Sequence, residues 1–132
     1  MASRDLIKWT TVTLDCADAE ALGSFYAGLF GWEISDRDGA DWVQVRDPRG
    51  GVGLNFQAEN SYEPPLWPEQ RGHQAKMMHF EILVEDLDTA IGQVLRAGGA
   101  EAPHQPADRD RTRLRVMLDP AGHPFCLFVH GE

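Results

Sequence analysis

The chain has 132 residues, 42% of them hydrophobic and 25% charged, and no apolar run of the ~18 residues that a membrane span needs, so size and composition predict one globular domain. Its formal net charge of −9, with Lys and Arg scattered, argues against nucleic acid and anionic membranes as partners. Two cysteines are too few for a disulfide scaffold and the N-terminus has no apolar signal-peptide core, so we expect a cytoplasmic protein.

The first half of the chain predicts a strand, a helix and three further strands. Residues 10–16 alternate between polar and apolar side chains, as in a half-buried strand. Asp18 is a predicted N-cap, because its carboxylate can accept hydrogen bonds from the first turn of a helix over 19–30. Gly31 suits the left-handed residue that ends such a helix. The further strands are predicted near 32–35, 42–46 and 52–57.

The second half repeats this order. Apolar residues alternate from Met78 to Val84 and predict a strand. Asp86 is the predicted N-cap of a second helix, which Gly98 and Gly99 end. The further strands are predicted near 100–102, 114–118 and 125–130.

A recurring turn sequence indicates that the two halves are duplicates. Asp47-Pro48-Arg49-Gly50 recurs 72 residues later as Asp119-Pro120-Ala121-Gly122, and both suit a tight turn. The predicted organisation is a single domain, 1–132, with module one at about 7–58, a linker at 59–76 and module two at about 77–130. We read the linker as a crossover that is part of a lid or of a dimer contact.

Four segments carry motifs in a fixed order: Leu14-Asp15-Cys16-Ala17-Asp18, Leu29-Phe30-Gly31-Trp32, Met78-His79-Phe80-Glu81, and Asp119 to Phe125. Together they resemble glyoxalase-like domains of the glyoxalase, bleomycin-resistance and extradiol-dioxygenase (vicinal oxygen chelate) superfamily. The resemblance implies an α+β fold in which two tandem βαβββ modules form a cupped mixed sheet around a ligand or metal. It also implies a homodimer.

In metal-dependent members of that superfamily, four ligands come from the first and fourth strands of each half. The matching positions here are Thr11, His79, Cys126 and a fourth-strand residue, which is Leu54 if the turns are aligned and Asn55 if strand alternation decides. Only His79 is a standard ligand for a divalent ion, so no metal cofactor is expected. A divalent ion held through His79, with Glu81 as a substitute ligand, stays an alternative.

Strand alternation also predicts which side chains line the proposed cup. Indoles offer flat stacking area and arginine can hold a carboxylate, so such a lining suits a small organic ligand. Gln44 and Arg46 are predicted on the same lining, whereas Val116 and Leu118 are predicted to pack on the helices. The candidate ligand-binding residues are Trp9, Thr11, Thr13, Trp42, Asn55, Gln57, Arg113, Arg115 and Cys126.

Two interpretations of function stay open. In the leading one, the protein binds a small aromatic or hydrophobic molecule without a catalytic metal and sequesters it, as drug-binding resistance proteins of this resemblance do. In the alternative, it is a lyase, isomerase or dioxygenase. His79 and Glu81 would then be its catalytic residues, as metal ligands or as a base dyad near neutral pH.

Overall fold

The structure is a computed structural model that describes Leu6 and residues 9–130. The first five residues, where no signal peptide is expected, lie outside the described residues. The chain divides into two compact units, one ending at Asn60 and the other beginning at Ser61. Each has one strand, one helix and three strands in that order, which confirms the α+β class and the duplicated βαβββ modules. One domain over 1–132 stays a prediction.

The first unit contains a four-stranded mixed sheet in the order β1-β4-β3-β2. Strand β1 is parallel to β4, and the other two pairs are antiparallel. The helix α1 follows β1, as a crossover to a parallel neighbour requires. The elements are β1 Thr11–Cys16, α1 Ala19–Phe30, β2 Glu33–Asp38, β3 Trp42–Arg46 and β4 Gly53–Ala58.

Helix α1 begins and ends where the sequence predicts. The Asp18 carboxylate accepts a hydrogen bond from the Ala21 amide, and Gly31 has a left-handed φ of 72°. The helix packs closely on the sheet at Gly23, where an added Cβ would lie 2.7 Å from Cγ1 of Val43. Tyr26 stacks on Phe56 with ring centroids 5.5 Å apart. The core of this unit therefore lies between α1 and the apolar face of its sheet.

The second unit contains a four-stranded sheet in the order β5-β8-β7-β6, again with its first and last strands parallel. Helix α2 is capped by Asp86, which accepts from the amides of Asp88 and Thr89, and is followed by Gly98 at φ 109°. The elements are β5 Glu81–Leu83, α2 Leu87–Ala97, β6 Ala100–Glu101, β7 Leu114–Leu118 and β8 Pro124–Phe128.

Strand β5 is shorter than predicted. Alternation from Met78 to Val84 predicted a longer strand, but the strand covers Glu81–Leu83, with one flanking backbone bond to β8 at Phe80 and one at Val84. The physical reason lies just upstream, where Met77 has a left-handed φ of 60° and the Met78 amide donates to the carbonyl of Lys76. This tight turn keeps Met78 and its neighbour out of the ladder.

The predicted faces of β7 are wrong. Residues paired across neighbouring strands point to the same side of a sheet. Val116 pairs with Cys126, which in turn pairs with Glu81, so these three share one face. Arg115 pairs with Leu127 and lies on the opposite face. The prediction placed Arg115 with Glu81 and Cys126, and Val116 against the helix.

From Ser61 onward the linker belongs to the second unit, and its described residues form no helix or strand. The Tyr62 hydroxyl donates to the carbonyl of Ala121 at 2.7 Å, and Trp67 Nε1 donates to the carbonyl of His104 at 3.0 Å. A role as a lid or in a dimer contact stays a prediction. Within the described part of the chain, no helix has both the length and the apolar character to cross a bilayer.

Candidate ligand-binding site

The polar face of the first unit's sheet gathers most of the predicted ligand-binding residues. Thr13 lies opposite Asn55 across β1 and β4, and Gln44 lies opposite Asn55 across β3 and β4. Leu54 instead lies opposite Val45 on the other side of the sheet, and both side chains are buried. The uncertain register of β4 is therefore resolved in favour of Asn55, as strand alternation indicated.

Asn55 is at the centre of a hydrogen-bonded network that we call the Asn55 network, consisting of Thr11, Thr13, Gln44 and Asn55. Asn55 is only 6% exposed. Its Nδ2 donates to Thr11 Oγ1 at 2.9 Å and to Thr13 Oγ1 at 3.2 Å, while its Oδ1 accepts from Gln44 Nε2 at 3.1 Å. These bonds satisfy both hydrogens of the amide and leave the two threonines with their own hydroxyl hydrogens to donate.

One end of this face opens into a recess of about 770 Å³, which we call the Trp42 recess. Arg37, its one basic residue among those described, is held by Glu20 through two bonds of 2.9 and 3.0 Å. The remaining charged side chains of the recess are carboxylates, so its walls are acidic around one indole. It is lined by Asp36, Arg37, Asp38, Asp41, Trp42, Gln57, Ala58, Glu59 and Asn60.

The other end opens into a smaller recess of about 290 Å³, the Trp9 recess. The Arg46 guanidinium carbon lies 5.8 Å from the centroid of the Trp9 ring, and Trp9 itself is 69% exposed. Gly53 in this recess and Gln57 in the other are four residues apart on β4, or roughly 13 Å. The Trp9 recess is lined by Trp9, Thr10, Thr11, Gln44, Val45, Arg46, Gly50, Gly51 and Gly53.

The second unit brings together three other predicted residues. His79 Nε2 lies 3.4 Å from Glu81 Oε2, and Glu81 is paired with Cys126 in the sheet. Burial raises the pKa of the Cys126 thiol, and the negative charge of Glu81 raises it further. Cys126 is therefore a weak nucleophile at neutral pH.

The two predicted arginines of the second unit do not join these residues. Arg115 lies 3.1 Å from the Glu101 carboxylate and donates to the carbonyl of Arg111 at 2.9 Å. Its side chain is 16% exposed, and its Nε is buried without a hydrogen-bond partner among the described residues. Arg113 donates to the carbonyl of His130 at 3.1 Å. Ligand binding by these two residues stays a prediction.

The donors at the positions matched to the superfamily's metal ligands do not suit a divalent ion. In the first unit, Thr11 and Asn55 are neutral and are already bonded to each other. In the second unit, the matched positions are His79 and Cys126, and the Cys126 thiol resists ionisation because its pKa is raised. Within the described residues of either unit, no three His, Cys, Asp or Glu side chains are grouped closely enough to hold a metal.

The structure contains a second polar cluster, which the sequence did not predict. The buried Asp119 carboxylate accepts from the amides of Ala121 and His123 and lies 2.8 Å from His123 Nδ1. His123 Nε2 in turn lies 3.3 Å from the Tyr62 hydroxyl. The available signal was the spacing of Asp119 and His123 around the second copy of the turn. The cluster fixes that turn and holds the linker against it.

Comparison with known proteins agrees with this architecture. A model of the family described as "Glyoxalase-like domain" matches residues 11–128, whereas no curated protein matches the chain. Three solved structures with 17–20% sequence identity share the fold.

The first is a glyoxalase/bleomycin resistance protein/dioxygenase family enzyme from Burkholderia phytofirmans PsJN, with 20% identity, a TM-score of 0.65 and coverage of 91% of this chain and 96% of that one. The second is a glyoxalase-related enzyme from Fulvimarina pelagi, with 19% identity, a TM-score of 0.63 and coverage of 94% of this chain and 89% of that one. The third is TnmS3, an antibiotic binding protein from Streptomyces sp. CB03234, with 17% identity, a TM-score of 0.56 and coverage of 93% of this chain and 96% of that one. The family match spans most of the chain, so this protein belongs to the family of glyoxalase-like domains.

Proposed function

We propose that this protein binds a small aromatic or hydrophobic organic molecule on the polar face of its first unit, without a catalytic metal. The observation that carries the proposal is the Asn55 network. Thr11 and Asn55 stand where the superfamily resemblance places two metal ligands, yet they form a neutral network in which the Asn55 amide is satisfied and the threonine hydroxyls can still donate. Such a face suits recognition of an organic molecule better than coordination of a cation.

The Trp42 recess is the proposed main binding site. It is an open recess of about 770 Å³ with one indole on its wall, large enough to receive a ring system on that indole. The Trp42 indole supplies a flat stacking surface, and Gln57 Nε2 donates to Glu59 Oε2, which fixes its amide. TnmS3, which has the same fold, is an antibiotic binding protein, and this supports a binding role for the fold.

A ligand panel tests the proposal. Aromatic compounds are screened by the shift in melting temperature with chelator present, and hits are measured by calorimetry. We expect the Trp42→Leu variant to bind a hit about tenfold more weakly, because a ring contact is lost. Trp67→Leu in the second unit is the matched control and should bind normally. Equal binding by Trp42→Leu, or no binding by any compound, would contradict the proposal.

The 3.4 Å contact between His79 and Glu81 favours a second candidate, an enzyme of the lyase, isomerase or dioxygenase type. These two side chains are accessible and include the one standard metal ligand among the matched positions. Titration with Zn²⁺ or Mn²⁺ would reveal this function as stoichiometric binding that is lost in His79→Ala. No such binding is expected if the first proposal is right.

We also propose a cytoplasmic homodimer. The few cysteines support the location, and the superfamily resemblance supports the dimer. Light scattering coupled to size-exclusion chromatography measures the mass in solution. A mass of two chains is expected, and a single-chain mass across the accessible concentration range would refute the dimer.

A further inference from the structure

The two recesses of the first unit have opposite chemistry. Four carboxylates line the Trp42 recess, from Asp36, Asp38, Asp41 and Glu59. Of the described residues that line the Trp9 recess, none is acidic and one, Arg46, is basic. A negatively charged group of a ligand on this face is therefore repelled at the Trp42 recess and attracted at the Trp9 recess.

Arg46 keeps its charge available to a ligand. Its guanidinium carbon lies 5.8 Å from the centroid of the Trp9 ring, and the ion pairs among the described residues do not include it. Arg37 and Arg115, by contrast, are paired with Glu20 and Glu101. Glu33 lies opposite Arg46 across β2 and β3, but the ion pairs that the structure describes do not join these two residues, so the Arg46 guanidinium can still bind an oxyanion.

Thr11 supplies a second donor to the same recess. Its Oγ1 accepts from Asn55 Nδ2 at 2.9 Å, so its own hydrogen points away from that bond and can be donated. Asn55 is buried and held by Gln44, which fixes the position of the hydroxyl.

One wall of the recess is lined by glycine. A Cβ on Gly51 would lie 2.5 Å from Oδ2 of Asp47, so this position cannot carry a side chain without displacing that carboxylate. Gly50 and Gly53 also line the recess and add no side chain. A ligand can therefore approach the backbone closely at this wall.

We propose that the Trp9 recess binds the carboxylate of a planar aromatic acid. The ring lies on Trp9, and the carboxylate accepts from Arg46 and Thr11. The volume of about 290 Å³, at the low end for ligand pockets, suits one or two fused rings. This inference rests on the proposed function, since it names the class of ligand and its orientation on the same face.

Calorimetry at low ionic strength with 2-naphthoate and 2-naphthamide tests the assignment, because the two probes share a ring system and differ in charge. Wild type is expected to bind the acid about tenfold more tightly than the amide. Arg46→Gln should lose this preference. Arg49→Gln is the matched control. It removes the same charge from a side chain that is three residues further along and does not line the recess, so this variant should keep the preference for the acid.

The outcomes separate this inference from the proposed function. Equal affinity of wild type for acid and amide would overturn the carboxylate assignment while aromatic binding stands. A preference that survives in Arg46→Gln would overturn the role of Arg46. No binding of either probe would overturn the inference and count against the proposed function as well.

Discussion

The two units have the same backbone plan but different chemistry on the corresponding strands. Asp18 and Asp86 cap the two helices, and Gly31 and Gly98 follow them in left-handed conformation. At the corresponding positions, however, the first unit carries the neutral Asn55 network, whereas the second carries the ionisable group of Glu81 and Cys126 on its first and fourth strands, with His79 just before the first. Caps and turns are thus common to both units, and the strand faces have diverged. The shared positions build the fold, and the divergent ones give the two units different polar chemistry.

The largest expected difference in stability between the units comes from the aspartates of their equivalent turns. Asp119 is buried and accepts from two amides and His123 Nδ1, whereas Asp47 Oδ1 accepts from the Arg49 amide. We expect Asp119→Ala to lower the free energy of unfolding by about 3 kcal/mol, because buried donors lose their acceptor. Asp47→Ala should cost about 1 kcal/mol. Urea denaturation measures both, and equal costs would show that the buried cluster adds no stability.

The next prediction compares Asn55 with Cys126. Asn55→Ala removes three hydrogen bonds from a buried group and should lower the free energy of unfolding by about 2 kcal/mol. Cys126→Ala removes a half-buried thiol and should cost less than about 1 kcal/mol. Chemical denaturation again provides the measurement. A larger cost at Cys126 would reverse the assignment of the structured polar network to the first unit.

A glycine-to-alanine substitution in each helix should change stability by a smaller amount, with opposite signs in the two helices. Gly23→Ala should destabilise the protein by about 1–2 kcal/mol, because the new Cβ meets Cγ1 of Val43 at 2.7 Å. Gly92→Ala should stabilise it by about 0.5–1 kcal/mol, since alanine favours helix and the nearest atom, 3.2 Å away, is the flexible end of Arg96. Thermal denaturation compares the pair, and effects of the same sign would refute the close approach at Gly23.

The smallest expected effect is on thiol reactivity. The Cys126 pKa is raised first by burial and then by the charge of Glu81, so the reactive thiolate is scarce near pH 8. Glu81→Gln removes the charge, lowers this pKa and should speed alkylation by a factor of about 2–3. The rate is followed by peptide-level mass spectrometry from pH 7 to pH 10. A slower rate in Glu81→Gln would contradict the electrostatic origin of the shift.

Local chemistry explains what the sequence could predict. The caps at Asp18 and Asp86 and the recurring Asp-Pro turn follow from a few adjacent residues, and alternation around Asn55 identified its face correctly. The face of β7 was not predictable in this way, because alternation does not say which set of residues faces the helix. Arg115 lies on the face of Leu127, where it is held by Glu101, a partner 14 residues away. The early end of β5 depends on the backbone of Met77. The two recesses depend on residues from several strands and loops, so no single segment indicates them.

The most direct test of the account is the metal content of protein purified without a metal-affinity tag, measured together with its melting temperature with and without chelator. Because the Asn55 network stands where metal ligands would be expected, the account predicts no stoichiometric divalent ion and an unchanged melting temperature. About one divalent ion per chain, with a melting temperature lowered by chelator, would contradict it, since removal of a ligand that binds the folded state lowers stability.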